Sequence, residues 1–247
     1  RMGSSRFPGK SLASVGHWSI IELVMKRVSE AKTIDKAILA TSTNSIDDVL
    51  TEHVSKLGYH VSRGSEDDVL SRFYEAAKPY NPQIVVRITV DCPMISPSLI
   101  DQAVEDFIDS QVGYLALSIG EDKPLAYPRG FDVEVASFQA LQDAAINAEA
   151  KYEREHVMPY LYTNNDRFTI KRLEPRPQLS RPTYLICVDT KEDLQVILQI
   201  YDGFGEKLMT ASHEDIIRFL DSHPEIVQIN QSVKQKHFTE SDERIGQ

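Results

Sequence analysis

The sequence has few cysteines, no long apolar run and no excess of positive charge. Its 247 residues include two cysteines, Cys92 and Cys187. Two are too few for a disulfide framework, so we expect a reducing compartment, the cytoplasm. No apolar run reaches the length of about 18 residues that a transmembrane helix needs, and no signal peptide is visible. The formal net charge of −10 argues against a general nucleic-acid binder and against a membrane-bound protein.

Short β-branched segments alternate with longer amphipathic segments along the chain. This alternation predicts an α/β fold: a mostly parallel, mixed sheet with helices on both faces, in a single domain over residues 1–230. A polar tail is expected over 231–247. The predicted strands are 36–41, 60–63, 84–90, 131–135, 168–173 and 184–188. The predicted helices are 45–57, a helix capped by Ser65, a helix from Ser96-Pro97, 137–150, 153–162, 190–201 and 212–220.

The apolar segment 84–90 is predicted to be a buried central strand. Ser45 with Asp48 is predicted to form a capping box. Thr190 and Ser212 are predicted to cap helices that have Asp193 and Asp215 at the third helical position. In a sheet of this kind the ligand crevice lies at the carboxyl ends of the strands, so polar residues that follow a strand are the candidates for chemistry.

The opening segment R-M-G-S-S-R-F-P-G-K (Arg1 to Lys10) combines three cations with two glycines and two serines. Glycines let backbone N–H groups approach a phosphate closely, and arginine and lysine supply the charge. The spacing of Gly3 and Gly9 does not fit a Walker A loop. A flexible basic segment with no ligand is the alternative interpretation.

Two carboxylates each follow a predicted strand. Asp91 follows the strand 84–90, and Asp189 follows 184–188. Mg²⁺ prefers oxygen ligands, often one or two carboxylates together with substrate phosphates, so the pair is a candidate metal site. The alternatives are that Asp91 only begins a turn and that Asp189 only favours the N-terminus of the next helix. The two cysteines have no matching histidine pattern and do not predict a zinc site.

Several motifs in the same order resemble the cytidylyltransferase superfamily of sugar-activating enzymes. The opening segment resembles the signature of 3-deoxy-manno-octulosonate and acylneuraminate cytidylyltransferases, and the spore coat polysaccharide biosynthesis protein F branch is the nearest match. The motifs cover nearly the whole chain. They are the opening segment, R-G-S-E-D-D-V-L-S-R-F at 63–73, V-R-I-T-V-D-C-P-M-I at 86–95, G-F-D-V-E-V at 130–135, Y-E-R-E-H-V-M-P-Y at 152–160 and V-D-T-K-E-D-L at 188–194.

The resemblance implies a nucleotide-diphospho-sugar transferase fold and roles for particular residues. The opening segment, with Gly3, Ser4 and Ser5 in it, would bind substrate; Arg1, Arg6 and Lys10 would hold the phosphates of CTP, with Lys10 near the α-phosphate. Asp91 and Asp189 would bind Mg²⁺, and Arg1, Lys10 and Asp91 would be catalytic. The region around the base and ribose would include Thr41, Ser42, Ser65 and Arg72. The acceptor pocket would include Gly130, Asp132, Glu134, Glu153, Arg154 and His156.

The family resemblance carries three further expectations. A strand normally precedes the opening arginine, and its absence before Arg1 suggests that residues upstream are missing. The residue before Asp91 is usually small, whereas here Val90 would either narrow the nucleotide crevice or pack outward. A homodimer is expected, with an interface around Lys123 to Tyr162.

The function predicted from these observations is transfer of CMP from CTP to an acidic sugar or a phosphorylated small molecule, with release of pyrophosphate, in cell-surface polysaccharide biosynthesis. One alternative is a metal-dependent glycosyltransferase that uses a nucleotide sugar. Such enzymes commonly carry a D-x-D triplet, which occurs nowhere in this chain. The other alternative is a non-catalytic nucleotide-binding module.

Overall fold

The computed structural model describes residues 1–119 and 126–233, and over this part of the chain the fold is α/β. The strands are β1 (Ser14–Val15), β2 (Trp18–Ser19), β3 (Ile38–Ser42), β4 (His60–Gly64), β5 (Ile84–Arg87), β6 (Tyr114–Ala116), β7 (Glu134–Ser137) and β8 (Ile170–Arg172). The α-helices are α1 (Ile20–Ser29), α2 (Asp48–Lys56), α3 (Val69–Ala77), α4 (Pro97–Ser110), α5 (Phe138–Asn147), α6 (Lys151–His156), α7 (Pro159–Thr163), α8 (Lys191–Phe204), α9 (His213–Ser222) and α10 (Pro224–Gln228).

The described strands form one small hairpin and two larger sheets. β1 and β2 make the hairpin, β3 and β4 pair in parallel, and the remaining strands form a sheet in the order β5-β7-β6-β8. β7 runs antiparallel to both of its neighbours, while β6 and β8 are parallel. The predicted mixed arrangement is therefore confirmed, but parallel pairing does not predominate: of the five described strand pairings, two are parallel and three are antiparallel.

The prediction of a buried central strand over 84–90 is wrong for this structure. β5 ends at Arg87, pairs with β7 alone among the described residues, and has all four of its residues half-buried. Its other edge faces the two-stranded sheet β3–β4 across a gap lined by apolar side chains. The segment has the apolar composition of a central strand, yet within the described residues it is paired on one edge.

Three predicted elements of the second half differ from the structure. The strand predicted at 131–135 begins only at Glu134, because the chain turns at Gly130, where φ is +114°. The segment 184–188 forms no strand and makes a single parallel bridge between Arg129 and Leu185. The helix predicted at 153–162 is two short helices, because Val157 adopts a positive φ and Pro159 begins a new helix.

The predicted caps Thr190 and Ser212 are confirmed, and the capping box predicted for Ser45 with Asp48 is wrong. Thr190 with Asp193 and Ser212 with Asp215 cap α8 and α9 reciprocally. Before α2, the first turn is a 3₁₀ helix over Ser45–Asp47, capped by Asn44. Ser65 likewise does not cap α3; its Oγ accepts from the Asp68 N–H, and Asp68 is the cap. Both serines lie in the turn before the helix.

The main core lies between the four-stranded sheet and the helices α1, α4, α8 and α9. A second apolar cluster joins α3, α5, α7 and the turn before α7 to the opposite face of the same sheet. Helices therefore cover both faces, as predicted. No helix in the described ranges is long and apolar enough to cross a membrane. Of the predicted polar tail, residues 234–247 lie outside the described part.

Candidate active site

The opening segment folds back on itself at the carboxyl edge of the strands. The carbonyl oxygen of Met2 accepts hydrogen bonds from the N–H groups of Ser4 and Gly9, both at 3.0 Å. Gly9 has a φ of +75°, and the chain then enters a 3₁₀ helix at Lys10. The turn is tight because glycine adopts this conformation without steric cost. Gly3, Ser4 and Ser5 form the tip of this turn.

Lys10 lies between the two carboxylates that follow strands in the sequence prediction. Its ammonium group donates to Asp91 Oδ2 at 3.2 Å, to Asp189 Oδ1 at 2.9 Å and to the carbonyl oxygen of Val188 at 2.7 Å. Arg6 contacts the second oxygen of Asp189 at 2.8 Å. Asp91 and Asp189, 98 residues apart in the chain, are thus brought to one ammonium group, and the Val188 N–H to Asp91 carbonyl bond of 2.7 Å holds their backbones together. We call Arg6, Lys10, Asp91 and Asp189 the cation–carboxylate cluster.

The charges of this cluster stabilise one another against burial. Burial lowers the pKa of Lys10, but Asp91 and Asp189 overcome this and hold it above its usual value. Burial likewise raises the pKa of Asp91, but Lys10 and a hydrogen bond from Thr89 hold it below its usual value. Both groups are therefore charged at neutral pH. The charges of the two cations and the two carboxylates cancel, so a polyphosphate bound here would need further positive charge.

The residues of the cluster fit a divalent cation. Carboxylate oxygens of Asp91 and Asp189 converge on a single point that is now occupied by an ammonium group. Two carboxylates completed by substrate phosphates are the ligand set that Mg²⁺ commonly takes. The described residues contain no group of three or more histidine, cysteine, aspartate or glutamate side chains that could hold a metal ion. A metal here would therefore depend on the nucleotide for its remaining ligands.

A buried carboxylate that sequence analysis did not identify fixes the opening segment to β3. Asp47 accepts from the Met2 N–H at 2.7 Å, from the Thr41 hydroxyl at 2.8 Å and from the Ser42 hydroxyl at 2.6 Å. The hydrogen bonds from Met2, Ser42 and Thr41 lower the pKa of Asp47 although burial opposes them. Thr41 and Ser42, which were predicted to lie near the base and ribose, are buried, and their hydroxyl groups donate to the Asp47 carboxylate. No local pattern marks Asp47, because its partner Met2 is 45 residues away.

Arg1 and Arg72 meet at the turn that follows β4. Arg1 contacts the Glu66 carboxylate at 3.4 Å, and Arg72 donates to the carbonyl oxygen of Ser65 at 2.6 Å. Arg72 is buried, and its Nε has no hydrogen-bond partner in the described part of the chain. Burial, followed by repulsion from Arg1, lowers the pKa of Arg72. This turn thus carries two neighbouring cations, beside the opening segment.

Three of the residues predicted for the acceptor pocket lie together beside Asp91. Asp132 is positioned by the Gly130 N–H at 2.9 Å, and burial raises the pKa of its carboxyl group. Glu134 is half-buried; it forms an ion pair with Arg87 and accepts from the Tyr114 hydroxyl at 2.8 Å. The pairing follows from the register of β5 and β7, in which Arg87 lies opposite Glu134.

The other predicted acceptor residues lie on α6, among structural contacts. Glu153 caps its own helix by accepting from the Ala150 N–H at 3.1 Å. Arg154 forms an ion pair with Asp68, the N-cap of α3, and donates to the Ala145 carbonyl oxygen at 2.8 Å. His156 ends the helix, and its carbonyl oxygen accepts from the Met158 N–H. The contacts of Arg154 therefore join α6 to the start of α3 and to α5.

Val90, Cys92 and Cys187 pack against other residues and have no evident chemical role. Val90 packs outward, against the apolar gap between β3 and β5, and not into the crevice of Asp91. Cys92 and Cys187 are free thiols and both are buried. Burial, reinforced by the neighbouring carboxylates, raises the pKa of each well above its usual value, so neither is a reactive thiolate.

Comparison with known proteins gives a consistent family. The family model described as cytidylyltransferase matches residues 1–245. An uncharacterized protein from Methanocaldococcus jannaschii is 38% identical over 98% of this chain and 96% of its own. Spore coat polysaccharide biosynthesis protein SpsF from Bacillus subtilis is 31% identical over 91% and 92% of the two chains. The solved structure of a cytidylyltransferase from Leptospira borgpetersenii superposes with a TM-score of 0.84 and 29% identity, covering 96% of this chain and 95% of that one.

Proposed function

Because the chain belongs to the cytidylyltransferase family, we propose that it transfers CMP from CTP to an acidic sugar or a phosphorylated small molecule, with release of pyrophosphate. The observation that carries the proposal is the cation–carboxylate cluster at the carboxyl edge of the strands. Basic side chains of the opening segment reach the two carboxylates there, at 2.8 Å from Arg6 to Asp189 and 3.2 Å from Lys10 to Asp91. A triphosphate needs this combination of charge and tight turn.

In the proposed reaction an acceptor oxygen attacks the α-phosphorus of CTP. A new oxygen–phosphorus bond forms, the bond to the β-phosphate oxygen breaks, and pyrophosphate leaves. Catalysis of this kind consists mostly of positioning and of stabilising charge. Arg6 and Lys10 would turn from the carboxylates to phosphate oxygens, and Arg1 and Arg72 would add charge near the turn after β4.

Mg²⁺ held by Asp91 and Asp189 would supply the remaining positive charge on the triphosphate. Asp132 and Glu134 would line the acceptor side of the crevice, because Glu134 begins β7, the strand that pairs with β5, and Asp132 lies just before it, within reach of the charge of Asp91. Both are fixed by hydrogen bonds to described residues. They would therefore orient an acceptor through its hydroxyl groups with little rearrangement.

The biological setting that we propose is cell-surface polysaccharide biosynthesis in the cytoplasm. The support is the name of the Bacillus subtilis relative, which describes spore coat polysaccharide biosynthesis.

The test is pyrophosphate release from CTP, ATP, GTP and UTP with Mg²⁺, against a panel of acidic sugars and phosphorylated acceptors. We expect release with CTP and one acceptor, and its loss with excess chelator. Asp91→Asn should reduce turnover by at least about 100-fold, because it removes a charge at the reacting centre. Asp109→Asn is the matched control, since Asp109 is exposed on α4, and it should keep full turnover. Full turnover of Asp91→Asn would contradict the proposed role of Asp91. Nucleotide binding without release of pyrophosphate for any acceptor would favour a binding module.

A further inference from the structure

Two hydrogen bonds to a buried carboxylate fix the backbone of Asp189. Asp193 is fully buried, and its Oδ2 accepts from the N–H groups of Asp189 at 3.0 Å and of Thr190 at 2.8 Å. These two amides flank the Cα atom of Asp189, whose side chain contacts Lys10 and Arg6. Asp193 therefore holds the piece of backbone from which the Asp189 carboxylate projects into the cation–carboxylate cluster.

The other oxygen of the Asp193 carboxylate is held by a residue much further along the chain. Asn230 is 1% exposed, and its Nδ2 donates to Asp193 Oδ1 at 2.8 Å and to the carbonyl oxygen of Leu185 at 3.0 Å. A primary amide has two N–H donors, and both are used here. Leu185 and Asp193 lie on the two sides of Asp189 in the chain. One side chain therefore holds both ends of the segment that carries Asp189.

The Asn230 side chain reaches this segment from a packed helix. It follows α10, whose Ile226 belongs to the main core, and its own carbonyl oxygen accepts from the Val233 N–H at 2.9 Å. A charged group is tolerated in a buried place when hydrogen bonds satisfy it. The Asp193 carboxylate therefore depends on Asn230, because the Nδ2 group satisfies the oxygen that the backbone amides do not reach.

The backbone before Asp189 is fixed as well. The Val188 N–H donates to the Asp91 carbonyl oxygen at 2.7 Å, and the Val188 carbonyl oxygen accepts from Lys10, also at 2.7 Å. The position of Asp189 relative to Asp91 is thus set before any ligand binds. Groups that hold a metal ligand in place in this way matter for affinity, since losing one typically weakens metal binding about 10–100-fold.

We propose that Asn230 is a positioning residue for Asp189. Acting through Asp193 and Leu185, it holds the backbone of Asp189 so that the carboxylate contacts the two cations of the cluster, and a divalent cation when CTP is bound. The inference deepens the proposed function and rests on it for the metal. It adds a contribution to the site from the segment after α10, which no local sequence pattern connects with Asp189.

The test replaces Asn230 by leucine, which has a similar size and lacks both donors. Asn164→Leu is the matched control, because the Asn164 amide donates to the carbonyl oxygen of Tyr160 at 2.8 Å, on α7. The first readout is the hydrogen exchange of the Asp189 and Thr190 amides in the protein without ligands, followed by NMR. The second is the dissociation constant of CTP, measured by calorimetry once with Mg²⁺ and once with chelator.

Asn230→Leu should speed the exchange of both amides by about tenfold and raise the dissociation constant of CTP with Mg²⁺ by about tenfold, but by less than about twofold with chelator. Asn164→Leu should change none of these quantities. Unchanged exchange at Asp189 and Thr190 would overturn the proposal. A dissociation constant that rises equally with Mg²⁺ and with chelator would also overturn it, because a residue that only stabilises the fold acts on both alike.

A second pair of variants keeps the test decisive if Asn230→Leu does not fold. Asn230→Asp places a second carboxylate against Asp193, and the double variant Asn230→Asp/Asp193→Asn restores an amide–carboxylate pair with its members exchanged. The double variant should recover part of the effect of Mg²⁺ on CTP binding that the single variant loses, and equal defects would overturn the proposal. A wild-type protein whose CTP binding gains nothing from Mg²⁺ would contradict the proposed metal site, and this inference with it. A wild-type gain that Asn230→Leu retains would overturn the role of Asn230 alone.

Discussion

Replacing Lys10 by methionine removes the ammonium group from between two carboxylates and keeps the length of the side chain. Lys10 is 12% exposed, and Asp91 and Asp189 are 30% and 18% exposed. A charge-assisted hydrogen bond contributes about 1.5–3 kcal/mol, and breaking a buried ion pair costs about 3–5 kcal/mol. Water reaches part of Asp91, so we expect Lys10→Met to lower the free energy of unfolding by about 2–4 kcal/mol at pH 7 without divalent cations.

The size of this difference should depend on pH. The lowered pKa of Asp91 contributes stability that is present above about pH 3.8 and is lost as the pH falls through its folded-state value. The raised pKa of Lys10 contributes stability that is fully present below about pH 10.5 and is lost as the pH rises through its folded-state value. The difference between wild type and variant should therefore be largest between these limits and shrink outside them. Urea unfolding in chelator, followed by circular dichroism, measures it.

Lys56→Met is the matched control. Lys56 pairs with Glu52 on the surface of α2 and is 73% exposed, so its loss should change stability by less than about 0.5 kcal/mol. Mg²⁺ should reduce the deficit of Lys10→Met, because a divalent cation can neutralise the same carboxylates. If Lys10→Met at pH 7 in chelator is as stable as Lys56→Met, the electrostatic reasoning is refuted.

Three other predictions concern backbone conformation, the opening segment and assembly. Gly130→Ala should lower the free energy of unfolding in urea by at least about 2 kcal/mol. The reasons are that a Cβ at this position would lie 2.6 Å from the carbonyl carbon of Ile186 and that φ is +114°. A change below about 0.5 kcal/mol would contradict this reasoning. Asp47→Ala removes the carboxylate that accepts hydrogen bonds from the Met2 N–H and from two hydroxyl groups. Steady-state kinetics should therefore show a higher KM for CTP, and Asp47→Asn should partly restore the wild-type value. An unchanged KM in Asp47→Ala would show that the opening segment does not need this anchor. We also propose a homodimer through residues 123–162, of which 123–125 lie outside the described part; Ile146, in this range, is 70% exposed. Light scattering at micromolar concentration should give twice the chain mass, and Ile146→Asp should lower it, whereas a monomeric wild type would remove the proposal.

Local interactions were predictable from the sequence. The capping boxes of α8 and α9 depend on residues three apart, so Thr190 and Ser212 identify their helices without tertiary information. The convergence of Asp91 and Asp189 could be expected because each follows a segment that leads to the same edge of the fold. Their roles as metal ligands stay predictions.

Long-range pairings were not predictable. The bond from Met2 to Asp47 and the ion pair of Arg87 with Glu134 depend on how distant segments are placed, and Asp47 alone reads as an ordinary residue of a helix start. The helix predicted at 153–162 is broken at Val157, where φ is positive, although Pro159 was a local signal for a new helix start. The apolar composition of the segment 84–90 predicts a buried central strand. Composition depends on whether side chains are buried, and it does not indicate how many edges of a strand are paired with other strands.

The most direct test of the proposed reaction follows the phosphorus atoms of the nucleotide. A ³¹P NMR time course would contain the protein, Mg²⁺, CTP, a nucleotide sugar and the panel of acidic sugars and phosphorylated acceptors. We expect the α-phosphorus of CTP to move into a CMP conjugate while the β- and γ-phosphates appear as pyrophosphate in equal amount, with the nucleotide sugar unchanged. Consumption of the nucleotide sugar with release of its nucleoside diphosphate, while CTP stays intact, would contradict a cytidylyltransferase and identify a glycosyltransferase.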